Sequence, residues 1–147
     1  MKRQVCSDMV DFRVVDALDS AALQQLRTLY VKAGWITESE SADFIAPLIA
    51  GSAVAVAAFD GSDLVGFGRA LSDGCSDAYI QDVVVDPYHR GQGIGGQIVR
   101  RVEGELKSRG VDWIALVGEP GTEKFYSKLG LRKKSGYTLW MLSGDAE

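Results

Sequence analysis

Apolar positions along this chain follow two periods, and the switches between them mark out the elements. Leu18, Ala22, Leu26, Leu29, Tyr30 and Ala33 recur at helical spacing, which predicts one helix with a single buried face, capped by Asp19 or Ser20 and ended by Gly34. Phe12 to Val15 reads as a short strand before it. A weaker helix is expected from Ser39 through Phe44 and Ile45, with Glu38 and Glu40 at its start, and Pro47 must kink or end it. Ser52 to Phe59 and Asp63 to Leu71 read as strands joined by the hairpin turn Asp60-Gly61-Ser62. Ala78 to Val85 is apolar and β-branched over most of its length, a largely buried strand whose anomaly is Asp82. Asp86-Pro87 stops that ladder, because proline has no donor to give it. Ile94, Ile98, Val99, Val102 and Leu106 then share one face of a helix from Gly93 to Arg109, closed by Gly110. Trp113 to Val117 returns as a strand, and Pro120, Thr122 and Glu123 suit the start of a short helix that Gly130 ends. Leu131 to Lys133 and Tyr137 to Leu142 are expected to close the sheet as a last hairpin, with a frayed end from Ser143 to Glu147.

This order predicts a mixed α/β fold in one domain. Strands one to four form an antiparallel meander, and a right-handed crossover makes the fourth and fifth parallel. The chain has 147 residues, 46% of them hydrophobic, which is enough core for one domain, placed at 12–147 behind a polar lead-in at 1–11. A net charge of −4 argues against a nucleic-acid protein, which needs a basic face to replace counterions. Cys6 and Cys75 suggest neither a metal site nor a disulfide framework, so both read as inert and a reducing cytoplasm is the expected location. No apolar run has the length of a signal peptide or a membrane span, so no membrane partner is expected.

The candidate chemistry begins where the buried strand ends. Five loop residues, Asp86 to Arg90, lead into Gly91-Gln92-Gly93-Ile94-Gly95-Gly96 at the start of a helix. Glycines there let a ligand approach the backbone, and the free amides of a helix start carry partial positive charge that suits a phosphate. Arg90 adds a fixed cation with a planar fork of donors. Gly91, Gly93 and Gly96 also spell the formal dinucleotide pattern, with Asp112 about twenty residues on. In that fingerprint the first glycine ends the strand directly and the acidic residue ends the next strand. Here a loop intervenes and Asp112 precedes the apolar run, so an oxidoreductase reading is distant. A P-loop is excluded because no Gly-Lys-Ser/Thr follows.

Arg90-Gly91-Gln92-Gly93-Ile94-Gly95 after Val83-Val84-Val85-Asp86-Pro87 resembles the acetyl-CoA-binding motif of the GNAT superfamily of N-acetyltransferases. Phe125-Tyr126-Ser127-Lys128-Leu129-Gly130-Leu131 resembles that superfamily's second motif, at about the family's usual interval. The resemblance implies a GNAT fold in which the parallel fourth and fifth strands splay apart around the coenzyme. It implies acetyl-CoA as co-substrate, held by Val83, Val84 and Val85 and by Arg90, Gly91, Gln92, Gly93, Ile94, Gly95 and Gly96, with the main chains of Val83 and Val85 pairing with the pantetheine arm. No metal is implied. The activity implied is acetyl transfer to a primary amine by direct attack in a ternary complex. Gly34-Trp35, Arg69 to Asp73 and Tyr79 to Asp82 look most like arylalkylamine or polyamine acetyltransferases, so a small-molecule amine is the expected partner, with a homodimer left open. A protein or peptide acetyltransferase and a coenzyme-binding sensor without turnover are the alternatives.

Such a transfer needs a neutral amine, a donor for the carbonyl oxygen, and an acid for the departing thiolate. Tyr126 matches the family's tyrosine on the short helix and is the candidate acid, against a reading in which it and Phe125 are core aromatics. Asp82, flanked by apolar residues, is the candidate base, or else a structural acceptor. Glu119 is the runner-up base, and ordered water a third route. Trp35, Gln81 and Glu119 are the candidate substrate contacts, Trp35 being either core or the lid of a pocket. His89, the single histidine, reads as solvated or as a neighbour of the phosphates. Gly118-Glu119-Pro120-Gly121 stands where the family often carries an asparagine.

Overall fold

A computed structural model describes residues 9–143 of the chain. Cys6, most of the expected lead-in and the last residues of the expected frayed end lie outside them. The chain divides into two compact units, Met1–Leu116 and Val117–Glu147.

The first unit holds β1 (Val10–Val14), α1 (Ser20–Lys32), α2 (Ile45–Ala50), β2 (Val54–Asp60), β3 (Asp63–Ser72), β4 (Asp77–Val85), a 3₁₀ turn at Pro87–His89, α3 (Ile94–Ser108) and β5 (Trp113–Leu116). They build a five-stranded sheet in sequence order, β1 to β4 antiparallel and β4 with β5 parallel, as the strand pattern predicts. The first strand starts two residues earlier than expected, at Val10, and β5 stops at Leu116. Gly61, at φ +60°, and Ser62 close the β2–β3 hairpin opposite the pair Asp60 and Asp63.

Each helix is placed by the residues that define it. The Asp19 carboxylate accepts from the Ala22 amide at 2.8 Å and caps α1, whose Ala22, Leu26, Leu29 and Tyr30 are buried. These pack with Ile45, Ile49, Ala55, Ala57, Phe59, Phe67 and Val84 into one core layer. On the opposite face of the sheet, α3 buries Ile94, Ile98, Val99, Val102 and Leu106. β3 meets that helix through glycine: a Cβ on Gly68 would lie 2.6 Å from Ile98 and one on Gly66 2.8 Å from it. The helix therefore sits closer to β3 than any side chain on those two positions would allow.

Two expected elements differ. The second helix starts at Ile45, not Ser39, and contains Pro47. Its first turn is the one place where a missing N–H goes unnoticed, because the first amides of a helix have no intrahelical acceptor. The preceding segment is held otherwise: the Thr37 amide and hydroxyl donate to the Glu40 carboxylate at 3.2 Å, and the Arg27 guanidinium donates to the carbonyls of Glu38 and Glu40.

The second unit holds α4 (Glu123–Lys128), and the final hairpin is absent among the described residues. Leu131 to Lys133 and Tyr137 to Leu142 are irregular, separated by a turn with Gly136 at φ +85°. Two strands alone make a marginal hairpin. The local contacts that do form are ionic and aromatic: Lys133 to Glu123 at 3.5 Å, and the Lys134 ammonium over the Tyr137 ring at 4.7 Å.

Candidate active site

The segment from Asp86 to Gly96 is anchored before it reaches its glycines. The Asp86 amide donates to the Val65 carbonyl at 2.8 Å, and its carboxylate receives Lys32 at 3.1 Å and His89 Nδ1 at 3.0 Å. His89 Nε2 lies 3.4 Å from Asp60. The histidine thus stands largely buried between two carboxylates, which corrects the solvated reading: it tethers the loop to the end of β2. Burial pushes the Asp86 carboxyl up, but the hydrogen bonds and charges of Lys32 and His89 outweigh it and hold the group below its ordinary value.

Gly91 and Gly93 adopt φ of +78° and +79° with nothing within 4 Å of where a Cβ would be. Conformation, rather than space, requires glycine there. Gly93 caps α3 with no side-chain hydrogen bond, so the amides of Ile94, Gly95 and Gly96 keep the free donors of a helix start. Beside them the buried side-chain oxygen of Gln92 has no hydrogen-bond partner. Exposed Arg90 precedes the turn. Free amides, open space over two glycines and a cation are the features a diphosphate requires. The residues fit acetyl-CoA. Ile94 has only its backbone to offer such a ligand, since its side chain is buried in the core.

β5 pairs with β4 from Asp77↔Trp113 only as far as Ile80↔Leu116. Along the remaining length of β4 the main chain alternates. The Asp86 amide points to β3, as by alternation do the groups of Val84, whose side chain is buried in the α1 layer. The main chains of Val83 and Val85 therefore face the other way, toward the side on which β5 has ended.

Between these two stretches the strand breaks step. Phe67 pairs with Val84 and Arg69 with Gln81, so Gly68 faces two residues, Asp82 and Val83, across a β-bulge. Asp82 sits at φ +55°, the one non-glycine residue with positive φ among those described. Its Oδ2 accepts from Arg69 Nε at 2.7 Å and from the Tyr30 hydroxyl at 2.9 Å. Burial, then the charge and hydrogen bond of Asp82, drive the Tyr30 phenol far above its ordinary value. Trp35 stacks edge-on against Tyr30 at 5.1 Å and packs, partly buried, on the core. Trp35 and Asp82 are thus brought to one place through Tyr30, while Gln81 is exposed on β4 opposite Arg69. Tyr30 and Arg69 are the residues that sequence reasoning missed as site residues. Tyr30 carries only the signal of a core position, and Arg69 shows its role only once the β3–β4 register is known.

The remaining candidates lie in the second unit. The Thr122 hydroxyl donates to the Glu119 carbonyl at 2.6 Å and the Tyr126 amide to the Thr122 carbonyl at 3.1 Å, which starts α4. Tyr126 and Phe125 are half-buried and meet edge-on at 4.8 Å. Burial, and then the negative charge of Glu119, push the Tyr126 phenol up, so it is protonated at neutral pH. Cys75, exposed in the first unit, has its thiol pushed up by the charge of Asp73, which keeps it in the unreactive form.

Comparison with known proteins places this arrangement. Over 66 residues, 45% of this chain and 33% of the relative, it is 42% identical to serotonin N-acetyltransferase 2, chloroplastic, of Oryza sativa subsp. japonica. It is 42% identical over 66 residues to GCN5-related N-acetyltransferase 1, chloroplastic, of Arabidopsis thaliana, covering 45% of this chain and 34% of that one. The matches thus span about a third of the length of these curated relatives. A GNAT family acetyltransferase of Streptococcus pneumoniae superposes with a TM-score of 0.74 at 27% identity, over 95% of this chain and all of that one. The family model of the acetyltransferase (GNAT) family matches residues 20–131, and the chain belongs to that family.

Proposed function

We propose that the chain is an acetyl-CoA-dependent N-acetyltransferase acting on the primary amine of a small molecule, by direct attack while both substrates are bound. The observation that carries this reading is the uncapped, glycine-opened start of α3 beside a strand whose parallel neighbour stops at Leu116. A coenzyme there supplies the acetyl group as an activated thioester. The amides of Ile94 to Gly96, with Arg90, hold its diphosphate, and the main chains of Val83 and Val85 hold its arm. Tyr126, kept protonated by burial and by Glu119, carries a proton on its phenol oxygen for the departing thiolate.

Arg69 and Tyr30 both hold Asp82 Oδ2 and so orient the carboxylate, which leaves Oδ1 to accept an amine proton. Deprotonation then falls to Asp82, to Glu119 or to water. The small-amine assignment is supported by the likeness to a relative named for serotonin. Among the described residues no helix is long and apolar enough to cross a membrane. We place the enzyme in the cytoplasm or, as the names of both plant relatives have it, in a plastid.

The test is thiol release from acetyl-CoA across arylalkylamines, polyamines and lysine peptides. Turnover on amines of the first two kinds supports the proposal, and turnover on peptides alone replaces its substrate class. Coenzyme binding without turnover on any of them makes the chain a sensor. With the best amine, Tyr126→Phe is expected to keep coenzyme affinity while turnover falls about 10²-fold. Full turnover in that variant makes Tyr126 a packing residue.

A further inference from the structure

His89 is the single histidine of the chain, and both nitrogens of its ring meet acids. Nδ1 lies 3.0 Å from the carboxylate of Asp86, three positions back, and Nε2 lies 3.4 Å from that of Asp60, at the end of β2 and 29 positions away. A carboxylate oxygen only accepts, and a neutral imidazole has one N–H to give. With a neutral ring, one of the two carboxylates faces the lone pair of a bare nitrogen. Only the doubly protonated ring donates to both. The three side chains are 14–18% exposed, so water has little access to stand in for a missing proton.

The groups around the ring suit the same state. Lys32, from α1, takes the other Asp86 oxygen at 3.1 Å and holds its ammonium over the Tyr88 ring at 5.7 Å. Asp63 stands opposite Asp60 in the β2–β3 register, and Arg90 follows His89 in the chain. Three carboxylates thus stand against Lys32 and Arg90, and the imidazolium is the third cation that balances them.

The ring also sits where it can act on binding. Arg90 beside it is exposed, and beyond that Gly91 and Gly93 have nothing within 4 Å of where a Cβ would stand. The strand end of the segment is fixed by the Asp86 amide on the Val65 carbonyl at 2.8 Å, and the helix end by the buried side chains of Ile94 and Ile98. Between those ends the His89 ring ties the turn to a third element, β2. A ring that loses one proton keeps its N–H on Asp86, the nearer partner, and releases Asp60. The turn then loses its tie to β2, and the donors that meet a diphosphate are less firmly placed before it arrives.

We infer that His89 is a positioning residue for the coenzyme's diphosphate: its doubly protonated ring ties the glycine turn to β2 through Asp60 and Asp86. The inference rests on the proposed placement of the diphosphate at the start of α3. Acetyl-CoA affinity should be greatest with the ring protonated. It should fall about 2- to 10-fold, the worth of one hydrogen bond, as pH rises through the range of about 5 to 8 in which histidine changes charge. Isothermal titration of the full chain across that range, set against His89→Gln, cancels the ionisation of the coenzyme itself. The parent should bind more tightly than His89→Gln at the acid end and approach it at the other. Asp60→Asn should flatten the parent's profile in the same way, because an amide can accept from a protonated ring or donate to a neutral one. With one histidine in the chain, the ring's proton NMR signals identify themselves, and their shift with pH should track the change in affinity. Parallel profiles for the parent and His89→Gln overturn the inference, since packing alone does not depend on the charge of the ring. An excess pH dependence that survives in Asp60→Asn overturns it as well, because the imidazolium then acts on the ligand by its charge and not through β2. If His89→Gln does not fold by circular dichroism, Asp60→Asn against the parent decides. Arg90→Ala separates this inference from the reading it rests on. Weaker binding in that variant together with parallel profiles defeats the role of His89 alone, and unchanged binding in it defeats the placement of the diphosphate and the inference together.

Discussion

Positive φ is reached in two different ways within the first unit. At Gly91 and Gly93 the residue itself permits it, with no neighbour in contact. At Asp82 a residue with a side chain is held there by Arg69, 13 positions away, and Tyr30, 52 positions away. The glycine turn owes its backbone conformation to its own residues, although its place is set by the contacts of Asp86 and His89. The bulge is a tertiary feature: the strain of a left-handed non-glycine residue persists only because surrounding contacts over-determine it. The proposed site thus combines a part whose backbone conformation its own glycines permit with a part whose conformation distant substitutions can undo.

The largest expected effect separates the two. Arg69→Met leaves the Asp82 carboxylate half-buried without its cation and should lower stability by about 1.5–3 kcal/mol, the range for a hydrogen bond to a charged group, with turnover falling alongside. Asp82→Gly placed in that background should recover part of the loss, because glycine holds the same backbone without a clamp. Chemical denaturation of both variants measures this, and no recovery would mean that Arg69 supports packing rather than the bulge. Next, Gly93→Ala should cost about 1–2 kcal/mol through the left-handed backbone alone, and isothermal titration should show weaker acetyl-CoA binding. An equal weakening in Arg69→Met would erase the distinction between the two parts. Tyr30→Phe removes one donor of two and should cost less, about 0.5–1.5 kcal/mol in a thermal melt.

The smallest effect is a pH dependence. The folded Asp86 carboxyl lies below its ordinary value, so its contribution to stability is present above the unfolded value of about 3.9 and is lost as pH falls through the folded one. Thermal melts should find Asp86→Asn less stable than the parent at neutral pH, with the gap closing under acid. A gap that does not change with pH would mean that Lys32 and His89 act on Asp86 without regard to its charge.

The readability of this molecule from its residues follows the same division. Features with a local cause are visible: the α3 face at helical spacing, the glycines before it, the Asp60 to Ser62 turn, and the stop at Asp86-Pro87. The bulge is not, since Asp82 in a run of valines reads as one continuous strand until Gly68 is seen to face two residues. Pro47 misleads in the other direction, because a residue that ends helices is also tolerated in their first turn. Tyr137 to Leu142 reads as a strand but is irregular in the structure, because a strand forms only with a pairing partner, which no local pattern specifies.

The paired glycines of β3 bear on the proposed diphosphate site. With Ile98 seated where two Cβ atoms would otherwise stand, α3 is keyed to the sheet along its first turns and has little freedom to slide or roll. The donors at its start are then already aimed before any ligand arrives, so binding should carry a small loss of conformational entropy and be governed by how fast the coenzyme leaves.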